Sequence, residues 1–210
     1  MRLNHSRISR APACLAALLT LALVGGCEQL GPRFGLTGQV AEVPPAPIGP
    51  DRLRVSLPKV GAQATLAPVA RRNDATVWQT LDGITLTFLA GVLTATRGLG
   101  EDLMSSDASG TVRMLAGHLG DAYYPMIRSY LDGEDQTRLP AYQCRRSEET
   151  THQINVGDTA ISARRIEEVC VSPDHRFTNI YWLDDARTLM RSRQWVSHTI
   201  GHMVTERVMR

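Results

Sequence analysis

Long apolar runs, lysine, phenylalanine and paired-cysteine motifs are all scarce in this chain of 210 residues, and each scarcity excludes something. The longest apolar stretch, Ala11 to Val24, has 14 residues and is interrupted by Pro12 and Thr20. A hydrocarbon core of roughly 30 Å needs about 20 residues of helix, so this stretch does not span a bilayer. Lys59 is the one lysine, every other base being Arg, and nothing functional follows from that skew. Four cysteines without a CxxC, among scattered histidines, make no zinc pattern. Ser105-Ser106 has no GxSxG elbow around it, and Gly98-Leu99-Gly100 falls short of a GxGxxG phosphate cradle. What is present, 43% apolar and 21% charged residues, is ordinary globular composition and excludes a disordered tail or a fibrous repeat.

The formal net charge of +2 comes from the N-terminus. Residues 1–26 hold Arg2, Arg7 and Arg10 and no acid, so without them 20 basic groups face 21 acidic ones. A nearly neutral chain has no net field to hold a polyanion, and nucleic acid is not an expected partner. The cationic segment Met1–Arg10 followed by the short apolar run reads as a secretory signal over residues 1–26. Leu23-Val24-Gly25-Gly26-Cys27 resembles the lipobox of bacterial lipoproteins, which makes Cys27 the expected lipidated N-terminus, seated in outer-membrane lipid and facing the periplasm. Glu28 to Pro50 is crowded with Gly and Pro, so residues 27–50 read as a tether able to reach on the order of 70 Å when extended. Residues 51–210 are then the folded domain.

Once Cys14 leaves with the signal and Cys27 takes lipid, Cys144 and Cys170 remain as a pair. In an oxidising periplasm that pair points to a disulfide, two buried thiols being the alternative. Closing this loop would restrict the unfolded chain by about 3.5 kcal/mol.

Period-two alternation at Leu53, Val55, Leu57 and at Ala62, Ala64, Leu66 predicts half-buried strands. Val77-Trp78 and Ile84–Phe88 read as hairpin arms around Asp82-Gly83, the dipeptide favoured by a type I′ turn. Gly91–Thr96 continues as a strand, and Thr111–Tyr124 is the one candidate helix, weakened by Gly117 and Gly120. From Met126 the turn signals Asp132-Gly133, Gly157-Asp158, Ser172-Pro173-Asp174, Asp184-Asp185 and Gly201 separate short β-rich runs. The expected fold is therefore mainly β, an antiparallel meander forming a barrel or a sandwich with at most one short helix.

Candidate chemistry is sparse. His198 and His202 would align only on a helix, and Gly201 predicts a turn, so they are expected to diverge and no metal is assigned. Glu167 and Glu168 in a strand point to opposite faces and cannot act together on one sugar. Asp102, Asp121, Glu134 and Asp135 have no readable mutual distance. Arg191, Arg193 and Trp195 alternate onto one face, where an indole flanked by guanidinium groups suits stacking on a sugar or a partner protein. The competing reading places Trp182 and Trp195 in the core of a domain poor in Phe.

Val77-Trp78 with Asp82-Gly83, Gly91 through Leu103, Arg128-Ser129-Tyr130, Cys144, Glu168-Val169-Cys170, Phe177-Thr178-Asn179-Ile180-Tyr181-Trp182 and Ser192-Arg193-Gln194-Trp195-Val196 stand out as blocks. Together they resemble one family, the YjbF/GfcB-like lipoproteins encoded with bacterial capsule and exopolysaccharide genes. A Pro expected near Ser197-His198 is missing. The resemblance implies an antiparallel β domain anchored by lipid in the outer membrane and acting, without catalysis or cofactor, as an accessory in polysaccharide assembly or export. Expected partners are an outer-membrane β-barrel, periplasmic proteins of the same locus, and the polysaccharide. The rival readings are a periplasmic glycan-modifying enzyme and a carrier of an apolar ligand inside a barrel.

Overall fold

Alternation of apolar and polar residues governs the chain from Leu53 onward, and the backbone follows it. The computed structural model describes residues 46–131 and 136–208, all within one unit, Pro44–Arg210. The signal, Cys27, most of the tether, the Asp132-Gly133 turn, Glu134 and Asp135 lie outside the described residues. Ile48 donates its N–H to the Pro68 carbonyl (2.8 Å), so the end of the expected tether pairs with the sheet.

The first strands are β1 (Leu53–Leu57), β2 (Ala62–Arg72), β3 (Ala75–Gln79), β4 (Thr85–Leu89), β5 (Val92–Arg97) and β6 (Leu103–Ser106). Helix α1 (Ser109–Leu115) leads to β7 (Tyr124–Leu131) and the short β8 (Thr137–Arg138). Four long strands complete the chain: β9 (Ala141–Val156), β10 (Thr159–Val171), β11 (Arg176–Leu183) and β12 (Leu189–Ser197), then β13 (Gly201–Arg207). All pairs are antiparallel, in the order β5-β4-β3-β2-β1-β13-β12-β11-β10-β9-β7-β6, with β8 on β7. The expected mainly β meander is present, and between barrel and sandwich the sheet curls into a half-barrel.

The curl does not close into a ladder. The end strands β5 and β6 touch, but side chains bridge them. The Thr96 hydroxyl accepts the Leu103 N–H (3.0 Å) and donates to Asp102 (2.8 Å), while the Arg97 guanidinium donates to the Leu103 carbonyl (3.2 Å). Asp102 also accepts the N–H groups of Gly98 and Leu99, which makes the Gly98–Gly100 segment a loop end tied to its own strand. Further along β5, Gln194 of β12 accepts the Leu93 N–H (2.8 Å) and donates to the Gly91 carbonyl (2.9 Å), satisfying edge groups that would otherwise be open to another strand.

Two expectations need correction. The hairpin between β3 and β4 is not a type I′ turn, which requires positive φ at both central residues. Only Gly83 has it (+91°), and the loop spans Thr80–Ile84 with the Thr80 hydroxyl accepting the Ile84 N–H. The helix is shorter than Thr111–Tyr124: Gly117 at φ +83° donates to Met114, His118 donates to Arg113, and the helix ends there. So short a helix is not stable alone. It is held by burial of Met114 and Leu115 and by Gly110, where a methyl group would come within 2.2 Å of the Tyr124 ring.

The interior is filled by two apolar clusters, one around Leu66, Leu93, Tyr130 and Met203, the other around Met114, Ile166, Tyr181 and the Cys144–Cys170 disulfide. The two cysteines are directly opposite one another on β9 and β10, so the bridge staples neighbouring strands. Beside it lies Glu168, fully buried. Its Oε1 accepts the hydroxyls of Thr111 (2.5 Å) and Tyr124 (2.5 Å), and its Oε2 accepts Asn179 Nδ2 (2.7 Å) and the Tyr181 hydroxyl (3.2 Å). A carboxylate offers about four lone-pair sites, and all are used. Burial and the adjacent Glu168 carboxylate push the Tyr124 and Tyr181 phenols far up, so both remain donors. Helix α1, β7, β10 and β11 thus meet on one side chain.

Glu168→Ala should lower the stability of the purified protein in urea by at least about 3 kcal/mol, because each buried donor left without an acceptor costs about 1–3 kcal/mol. Tyr124→Phe, which removes a single donor, should cost about 1 kcal/mol. A Glu168→Ala loss no larger than that of Tyr124→Phe would remove the carboxylate as the common node.

Candidate functional site

Strands β11 and β12 pair from Leu183↔Leu189 to Ile180↔Arg193, and the register ends there. Beyond that point side chains replace the ladder. Asn179 Oδ1 accepts the Trp195 N–H (2.8 Å), the Trp195 carbonyl accepts Arg128 Nη2 (3.0 Å), and the Val196 carbonyl accepts the Tyr130 hydroxyl (2.7 Å). On the β11 side, His202 Nε2 lies 2.9 Å from the Thr178 carbonyl. Buried backbone groups need partners, and here they find them without the two strands touching.

Rings occupy the opening. The Trp195 indole stacks on Phe177 (centroids 5.9 Å apart, planes at 16°) and is met by His175 at 4.7 Å, His198 at 5.5 Å and His202 at 5.2 Å. Tyr142 meets Phe177 edge-on at 4.9 Å. Arg128, 3% exposed, lies 5.6 Å from the Tyr130 ring and 5.7 Å from the Phe177 ring, a cation–π arrangement. Its Nε and Nη1 have no hydrogen-bond partner among the described residues. Over these rings opens a cleft of about 280 Å³ lined by Trp195, His175, His198, Tyr142, Arg138 and Glu101.

The electrostatics of the cleft follow from burial and charge. Burial, then His198 and Arg128, hold His175 below its ordinary value. Burial and Arg193 lower His202 as well, against the opposing contact with Thr178. Both are therefore uncharged rings near neutral pH. Burial alone would raise Glu101, but hydrogen bonds from Thr199 and Ser197 and the charge of Arg138 outweigh it, and the carboxyl sits below its ordinary range. Its two oxygens accept Arg138 Nη2 (2.7 Å) and the Thr199 N–H (2.9 Å). Burial raises Tyr130 to about 12, so its hydroxyl stays a donor to Val196.

Arg191, Arg193 and Trp195 share one face of β12, as their alternation requires, but only Trp195 lines the cleft. Arg191 donates to Glu206 Oε2 and to the Asn155 carbonyl, and Arg193 contacts His202 Nδ1 at 2.9 Å. His198 and His202, expected to diverge, instead converge on Trp195 from two sides, because the turn between β12 and β13 folds them back across it. Glu167 and Glu168 do lie on opposite faces: Glu167 pairs with Arg165 and Glu168 is buried. Asp121 pairs with Arg146, and Ser106 ends β6. Among the described residues the one group with metal-ligand spacing is Cys144, Glu168 and Cys170, and its sulfurs are bonded to each other. The sequence reading missed His175, and it named Arg128, Tyr130 and Asn179 only within the blocks that carry the family resemblance, with no role at a site. An arginine on the Tyr124–Met126–Arg128–Tyr130 face of β7 was the available signal.

Stability should fall on acidification in two windows. His175 and His202 bind a proton less readily folded than unfolded, so stability is full above the ordinary value of 6.5 and declines as pH drops below it. Glu101 adds stability present above 4.5 that is lost as pH falls further, through its lower folded value. Urea midpoints measured across pH should show the upper decline in wild type and a flatter one in a His175→Gln, His202→Gln variant. Identical slopes above 4.5 would contradict the assignment.

Comparison with known proteins agrees with this fold. No curated protein matches the chain. Among solved structures, the hypothetical lipoprotein YmcC from Escherichia coli (K12) superposes with a TM-score of 0.62 at 16% identity, covering 76% of this chain and 83% of that one, a likeness of fold. The family model for YjbF, the group 4 capsule polysaccharide lipoprotein GfcB, matches residues 40–208. A match over that much of the chain settles its membership: it belongs to the YjbF/GfcB family of capsule polysaccharide lipoproteins.

Proposed function

We propose that this lipoprotein is cleaved after residue 26, acylated on Cys27 and held at the periplasmic face of the outer membrane by the tether 27–50, where it serves capsule or exopolysaccharide assembly or export as a non-catalytic accessory. The observation that carries the reading is the cleft at the opened β11–β12 seam. Its half-buried indole stacks on Phe177 and is ringed by the imidazoles of His175 and His198 and by Arg138 and Glu101, a combination suited to an apolar sugar face with hydroxyls at its edge. The Cys144–Cys170 bridge supports an oxidising compartment such as the periplasm. Partners in this reading are an outer-membrane β-barrel and periplasmic proteins of the same locus, with the glycan or one of these proteins seated on Trp195.

Trp195→Ala should reduce surface polysaccharide or co-purification of the outer-membrane partner while Trp195→Phe restores most of it. Melting must be followed alongside, since loss of a packed Trp costs roughly 3–5 kcal/mol when it acts as core. A folded Trp195→Ala protein with normal polysaccharide output would reject the cleft as the working surface.

A further inference from the structure

A second cavity, about 350 Å³, lies at the other end of the half-barrel, where β12 begins and β2, β4 and β13 end. Arg191 on its wall and Trp195 in the first cleft are four residues apart on one strand, about 13 Å. The two sites are separate. The cavity is lined by Arg71, Arg187, Arg191 and Arg207, with Asp74 as the single acid. Two of these arginines are already matched: Arg191 to Glu206, and Arg71, more loosely at 3.6 Å, to Asp51. Arg187 donates to a neutral group, the Ala116 carbonyl (2.6 Å), and Arg207 makes no ion pair among the described residues. Set against Asp74, these two guanidinium groups leave the cavity one positive charge in excess.

The lining also carries the hydroxyls of Thr76, which accepts Arg71 Nε (3.3 Å), and of Thr188, with the apolar side chains of Leu189 and Met190 and the Trp78 indole as its floor. Backbone strain gathers at the same place. The three non-glycine residues with positive φ among those described are Asn73 (+51°), Ala90 (+47°) and Arg187 (+62°). Ala90 and Arg187 line the cavity, and Asn73 precedes Asp74, which does. Asn73 and Ala90 belong to the tight β2–β3 and β4–β5 hairpins, whose turns require positive φ, and these turns bring the rim residues together at this end of the sheet.

We propose that this cavity binds an acidic saccharide, a sugar residue carrying a carboxylate such as a uronate. Arg187 and Arg207 hold the carboxylate, since guanidinium matches it in two parallel hydrogen bonds. The threonine hydroxyls meet ring hydroxyls, and Leu189 and Met190 receive the C–H face. A lipid chain would leave the arginines and threonines unpaired, and a bare inorganic anion would leave the apolar floor uncovered. The preference for an anion rests on the arginines alone. That the anion is a glycan rests on the reading of the preceding section.

The test is calorimetric titration of the purified full chain in detergent with oligogalacturonate and, separately, with neutral maltotriose. Oligogalacturonate should bind more tightly than maltotriose, by a margin that shrinks at high salt. Arg207→Gln and Arg187→Gly should each weaken binding roughly tenfold or more, the equivalent of one charge-assisted hydrogen bond. Arg187→Gly suits the positive φ at that position, and its melting curve, followed alongside, registers loss of the contact with Ala116. Arg113→Gln, at an exposed arginine that lines neither cavity, should leave this affinity unchanged, which separates the cavity from general surface charge. No binding, equal binding of maltotriose, or undiminished affinity in both arginine variants would overturn the proposal. So would capture by phosphatidylglycerol vesicles without binding of oligogalacturonate, which assigns the cavity to a lipid headgroup.

Discussion

A buried carboxylate with every lone pair taken is the constraint from which the rest of the half-barrel follows. Glu168 has no access to water and depends on donors from α1, β7 and β11, so those elements must all reach β10 for any of them to be in place. A carboxylate stripped of such donors is costly to bury, and this makes the arrangement close to all-or-none. Asn179 extends it. Its amide nitrogen serves Glu168 and its oxygen serves the Trp195 N–H, which links the interior to the opened seam.

The sheet is interrupted where side chains take over from the ladder, at the β5–β6 junction and at the end of β11–β12. Thr96 and Arg97 serve the first and Asn179, Arg128, Tyr130 and His202 the second. A continuous ladder would have brought β11 and β12 together along their length and left no room for the stacked rings. Opening it costs no buried backbone hydrogen bond at Trp195 or Val196 and leaves an indole face beside a polar rim. The opposite end of β12 carries the arginine-lined cavity, so one strand bears two chemically different surfaces.

Much of the strand framework was legible from residue alternation. Leu53, Val55 and Leu57 point inward as their spacing requires, and Gly157, Ser172–Asp174, Asp184-Asp185 and Gly201 all mark real turns. The same alternation separated Glu167 from Glu168, but it could not say which of them turns inward. That depends on Tyr124 and Thr111, 44 and 57 residues away, whose hydroxyls make the inward position tolerable. The histidines were misjudged for a related reason. Four-residue spacing was weighed against a helix, whereas a hairpin turn between two paired strands brings His198 and His202 onto the residue both flank. Trp195 was visible as a candidate because its face could be counted; its companions His175 and Arg128 arrive from other strands and could not.

The link between the buried carboxylate and the seam is the claim on which this account stands, and amide hydrogen exchange at Trp195 reads it directly. The Trp195 N–H should exchange slowly in the wild-type protein and quickly in Asn179→Ala. It should also exchange faster in Glu168→Gln, where an amide group replaces an oxygen that accepts from Asn179 or its neighbours, while amides in the β1–β2 hairpin keep their protection. Unchanged protection of Trp195 in Glu168→Gln would show that the seam stands independently of the interior node.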